Sequence, residues 1–224
     1  MLDTNIKVRD FSIVVVAENQ SPSILNPDFL KYNKIVPSDW ELAMPPISIP
    51  QVSQVFFNNG VNIVAEVGKI SFWESLDTDH LDFKVPEMTY KYIDAVPFLA
   101  YKAIGININA YVILDKEEDS QDIILDKLIA PGKWKVFQGE SPNALVQFTY
   151  KFDNTNLIIA LQKAAFQKTQ NDLLIPIVNF TANFHRDLKD GTPDEKNSQM
   201  KNIIQSWKTD LNTLLSFVKE AFLE

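Results

Sequence analysis

The sequence predicts an α+β fold, a curved and mostly antiparallel sheet of seven or eight strands in two meanders packed on a long C-terminal helix in a helix-grip-like arrangement. Three observations carry this. Residues 101–114 alternate almost strictly, with Ile104, Ile106, Ile108, Ala110 and Val112 on one face and Asn107, Asn109 and Tyr111 on the other. That pattern marks a strand half buried in an antiparallel sheet. Two further groups of alternating segments, at 52–74 and 144–184, are broken by short turn sequences. Towards the end of the chain, Ile203, Ile204, Trp207, Leu211, Leu214, Leu215, Val218 and Phe222 fall on one stripe at helical spacing.

Taken in order, the first predicted strand covers 9–18, where Val14, Val15 and Val16 form an apolar run suited to burial on both faces. Residues 19–50 hold six of the twelve prolines (Pro22, Pro27, Pro37, Pro45, Pro46 and Pro50) together with Leu25, Phe29, Leu30, Tyr32, Ile35, Trp40 and Leu42. Proline breaks ladders and helices, yet a disordered linker has no use for that apolar load. The segment therefore reads as an ordered arm lying over the domain. Within it, Asn26-Pro27 is an N-cap followed by proline at the first helical position, predicting a short helix over 27–32.

The first meander runs 52–57, 61–66 and 69–74, with Asn58-Asn59-Gly60 and Gly68 at its turns. A helix follows from Pro86 and stops at Pro97, with Glu87 in its first turn. Another is expected over 120–130, closed by Pro131-Gly132. The second meander runs 144–152, 157–166 and 177–184. Thr192 and Glu195 then form a capping box around Pro193, and a helix over 193–224 would extend ~48 Å. Each meander is followed by a helix, which raises a duplication as an expectation.

The chain has 224 residues, 46% of them hydrophobic and 22% charged, so one domain spanning 1–224 can bury a full core. There is no cysteine, which excludes disulfides, thiolate nucleophiles and cysteine zinc sites. The formal charge of −8 argues against nucleic acid as a partner. No apolar run is long enough for a bilayer and no signal-peptide pattern opens the chain, so a cytoplasmic protein with no membrane contact is expected.

Catalytic constellations are scarce. Glu74, Asp77, Asp79, His80 and Asp82 form the sharpest polar cluster, and Asp77, Asp79 and His80 are its candidate metal ligands. Their spacing fits no metal loop, so a solvated acidic loop is the better reading and no metal is expected. His185, Arg186 and Asp187 form a second small cluster, but no nucleophile elbow accompanies it. The glycines form no phosphate-binding pattern, and no cofactor is expected. Asn107, Asn109, Asn179, Thr181 and Asn183 read as the wet side of the sheet.

Candidate partner-binding residues are Phe29, Tyr32 and Trp40 on the arm, with Phe217 and Leu223 off the main stripe of the last helix. The runs Ser23-Ile24-Leu25-Asn26-Pro27-Asp28-Phe29-Leu30 and Pro37-Ser38-Asp39-Trp40-Glu41 resemble the opening of a family of uncharacterised bacterial proteins of about this length. The resemblance covers the first third of the chain. It implies a bacterial, cytoplasmic accessory protein with no assigned activity. The expected function is that of a non-catalytic protein acting through contacts with a protein partner or with itself. Small-molecule binding between sheet and helix is the alternative, and metal-assisted hydrolysis the third.

Overall fold

The computed structural model describes residues 6–76, 81–114, 119–167 and 173–224. Nine strands form one antiparallel sheet: β1 (Ile6–Ala17), β2 (Ile47–Ile49), β3 (Val52–Phe56), β4 (Val61–Glu66), β5 (Lys69–Ser75), β6 (Tyr101–Ile113), β7 (Leu145–Phe152), β8 (Thr155–Phe166) and β9 (Ile175–Asp187). Their order across the sheet is β2-β3-β4-β5-β1-β6-β9-β8-β7. The helices are α1 (Pro27–Tyr32), α2 (Val85–Ala95), α3 (Asp119–Leu128), α4 (Pro193–Gln205) and α5 (Trp207–Ser216).

The expected count of seven or eight strands falls short by β2. Its three residues lie within the proline-rich arm and pair with β3 through Ile47↔Gln54 and Ile49↔Val52. Prolines at 45, 46 and 50 hid so short a strand.

Rows of cross-strand partners build the core. Ile63, Phe72, Ile13, Ile106, Phe184 and Leu157 are successive neighbours across β4, β5, β1, β6, β9 and β8. Four of the six are fully buried, and Phe184 and Leu157 are each 2% exposed. The helices cover this face. Phe72 meets Tyr92 of α2, Phe11 meets Trp207 of α5, and Phe180 meets Phe222 beyond α5, with ring centroids 5.0–5.5 Å apart.

The opposite face carries Ser12, Asn107, Asn109, Asn179, Thr181 and Asn183. Asn183 Nδ2 donates to Asn107 Oδ1 at 2.6 Å and Asn107 Nδ2 donates to Ser12 Oγ at 3.2 Å, a polar ladder across three strands. Val14 and Val16 share that face and are only half-buried. The expectation that β1 is buried on both faces is thereby corrected.

The single helix expected over 193–224 is also corrected. It is divided at Ser206 into α4 and α5, and ends in a wider π turn over Phe217–Leu223. Ser206 Oγ donates back to the Ile203 carbonyl at 2.9 Å, a side-chain bond that competes with the helical ladder and bends it. The apolar stripe keeps its phase through the break, so Met200, Ile204, Leu211, Leu214, Val218 and Phe222 all remain buried. The capping box forms as the spacing predicts: Glu195 N donates to Thr192 Oγ1 at 3.3 Å, and Thr192 N donates to Glu195 Oε2 at 2.7 Å.

The two halves of the sheet repeat one order of elements. β1, α1, β3–β5 and α2 are followed by β6, α3, β7–β9 and the α4–α5 pair. The halves meet where β1 pairs with β6. The two outer edges differ in one respect. In the first half, the outer edge of β3 is covered by β2. The equivalent strand in the second half is β7, and among the described residues only β8 pairs with it.

Candidate functional site

The run Leu-Val-Gln-Phe-Thr-Tyr-Lys-Phe of β7 alternates so that Val146, Phe148, Tyr150 and Phe152 turn to the helix side of the sheet. In a central strand such residues would be buried. At the edge the helix layer ends over them. Tyr150 is 38% and Phe152 54% exposed, while Leu145 on the other face is 62% exposed. Their rings form a row: Phe148 lies 6.4 Å from Tyr150, and Tyr150 stacks on Phe152 at 6.4 Å with 11° between planes. Phe217, from the π turn, leans on this row at 6.0 Å from Phe148 and 6.2 Å from Tyr150.

Every second residue of an edge strand turns its N–H and C=O groups outward, a template for another strand. Protected edges are short, or carry proline or charge. β2 fits that description, with three residues between prolines. β7 has eight residues, no proline and one charge, Lys151.

The residues singled out from sequence divide into two groups. Phe29 is half-buried with its ring edge-on to Tyr92 at 6.4 Å, and Trp40 is half-buried against Phe57 at 5.2 Å. Both dock the arm onto its own domain, whereas Tyr32 is 87% exposed. Phe217 and Leu223 are half-buried against their own core. The arm packs by β3, seven strands away from β7, or about 34 Å at ~4.8 Å per strand. The two groups therefore do not form one surface. The aromatic row of β7 was visible as an alternating pattern, but pattern alone assigns it to a core.

Of the acidic cluster, Asp77, Asp79 and His80 lie outside the described residues. Glu74 corrects the solvated-loop expectation. It is 1% exposed, opposite Phe11 and Val61 on the core face, and its Oε1 accepts from Val85 N at 2.8 Å. The carboxylate thus caps the N-terminus of α2, where the helix dipole favours it. Burial nevertheless raises its pKa above the ordinary glutamate value, with the Val85 hydrogen bond and Lys84 pulling it back. A raised folded value favours the folded state below the ordinary pKa, and that advantage is lost as pH rises through the folded value. Glu74→Gln keeps an acceptor for Val85 and removes the charge. The variant is expected to gain on wild type as pH rises above the ordinary glutamate value, read by urea unfolding at each pH. A gap that stays constant would contradict this placement.

His185 Nε2 lies 3.2 Å from Asp187 Oδ1, and both side chains are exposed. Arg186, between them, points to the helix side and forms a two-pronged pair with Asp210. Among the described residues, no group of three or more His, Asp or Glu could hold a metal ion. No helix among them is long and apolar enough to cross a membrane. A groove of about 470 Å³ lies between α2 and the α4–α5 pair, walled by Tyr90, Ile204 and Trp207 with Glu87 and Lys208 at its sides.

No family model matches this chain, and no curated protein matches it significantly.

Proposed function

We propose that this is a non-catalytic accessory protein that works by binding other protein chains, and that β7 is its docking edge. The observation that carries the reading is the contrast between the two ends of one sheet. Where the arm supplies β2, the meander edge is covered. The equivalent edge, β7, is eight residues long, pairs among the described residues with β8 alone, and presents an open outer side and a row of exposed aromatics. An incoming strand gains main-chain hydrogen bonds from the edge and apolar contacts from Leu145, Tyr150 and Phe152. Aromatic anchors of this kind concentrate binding energy.

The experiment is in-cell cross-linking with mass spectrometry, comparing wild type with Leu145→Lys/Phe152→Lys. Both side chains are exposed, so the fold should survive the change. Wild type is expected to yield cross-links from residues 145–152 to another chain, identical or not, and the double variant to lose them. Complexes that form equally well in both would show that binding occurs elsewhere.

A further inference from the structure

The occupant of the β7 edge follows from the chemistry of the strand itself. Resting on the reading above, we infer that β7 pairs with β7 of a second copy, antiparallel, about a two-fold axis normal to the sheet near Phe148 and Thr149.

Three properties support a like partner. The first is charge. β7 has no acidic residue and a single cation, Lys151, so it offers little to a basic or an acidic peptide. An axis at Thr149 sets Lys151 of one copy opposite Gln147 of the other. An axis at Phe148 sets it opposite Leu145. Neither register places like charges face to face.

The second is facial symmetry. A two-fold normal to the sheet keeps the helix side of both copies together. With the axis at Thr149, Phe148 of one copy faces Tyr150 of the other, and Val146 faces Phe152. Aromatic and aromatic–β-branched pairs are among the favourable cross-strand combinations. The rings of Phe217 from both copies flank the join.

The third is area. Leu145, Tyr150 and Phe152 are 62, 38 and 54% exposed. For side chains of about 150–250 Å², this leaves roughly 300 Å² of apolar surface per copy. Adding the strand backbone, Gln147, Thr149 and the half-exposed Val146, Phe148 and Phe217 brings the two-copy total to about 1,000–1,200 Å². That sits at the lower end of stable, specific interfaces. The dimer should therefore be reversible and dependent on concentration.

The test uses the full chain in sedimentation velocity with light scattering, from roughly micromolar to submillimolar protein. Wild type is expected to pass from monomer to dimer across this range. Thr149 is exposed and at the proposed axis, so Thr149→Lys alone and Thr149→Glu alone each set like charges together. Each is expected to weaken dimerisation at least ~10-fold. An equimolar mixture of the two variants should dimerise again, which misfolded chains would not do. A wild type that stays monomeric throughout, a dimer indifferent to both substitutions, or a mixture without rescue would each overturn the inference. If wild type stays monomeric while residues 145–152 cross-link to a different protein in cells, the second copy is excluded and the docking edge stands. If neither contact occurs, both readings fall.

Discussion

Asp210→Ala is expected to destabilise the fold by about 3–5 kcal/mol, among the largest losses any single substitution here should produce. Arg186 is the penultimate residue of β9 and Asp210 lies in α5. Arg186 Nη1 donates to Asp210 Oδ2 at 2.8 Å and Nη2 to Oδ1 at 2.6 Å, a bidentate fork. The side chains are only 13% and 4% exposed. Burial raises the pKa of Asp210, and the guanidinium draws it back down. Removing the carboxylate strands a guanidinium that water cannot easily reach and that cannot shed its proton. The cost is that of an unpaired buried cation, so it exceeds what the pair itself contributes. Replacing both residues with leucine should recover most of the loss, because a buried pair and an apolar pair of similar volume are nearly equivalent. Urea unfolding of wild type and the two variants measures this. A single-variant loss under about 1 kcal/mol would mean that the fork is open to solvent.

The second large effect is expected at Phe11, where sheet, loop and helix meet. Its side chain is fully buried. Its ring stacks on Phe83 at 4.5 Å and meets the edge of Trp207 at 5.5 Å. Phe83 and Trp207 also meet each other at 5.5 Å, closing a three-ring cluster. Phe11→Ala leaves a void bounded by a strand on one side and a helix on the other, which cannot close together to fill it. A loss of about 3–5 kcal/mol is expected. Phe152→Ala is the matched comparison. It also removes a strand phenylalanine, but one that is 54% exposed, and about 0.5 kcal/mol or less is expected in the isolated chain. Equal losses at the two positions, read from denaturant midpoints, would contradict the assignment of Phe11 to the core and Phe152 to the edge.

The contrast between these two phenylalanines shows what a sequence carries and what it omits. Alternation in 101–113 and 175–187 identifies strand faces because side chains point to opposite sides by turns. Caps at Asn26 and Thr192, and the turn at Gly60, were legible because each depends on neighbours within a few residues. Gly60, with φ of 82°, occupies the left-handed region that a turn there requires. Strand order was not legible, since nothing in the pattern of Phe148, Tyr150 and Phe152 states whether a ninth strand or solvent lies beyond them. Glu74 was misread for a similar reason. A carboxylate in a charged run reads as solvated until the fold brings the N-terminus of α2 above it. Arg186 was grouped with His185 and Asp187 by proximity in sequence, whereas the strand sends it to the other face to meet Asp210, 24 residues away.

Hydrogen–deuterium exchange across residues 145–152, followed as protein concentration rises, tests the role of β7 most directly. Outward amides of an unpaired edge exchange quickly, and an added strand protects them. The account predicts that protection grows with assembly and is confined to β7 and the adjoining π turn. Assembly accompanied by unchanged exchange at β7, with new protection over the arm or the α2–α5 groove instead, would contradict it.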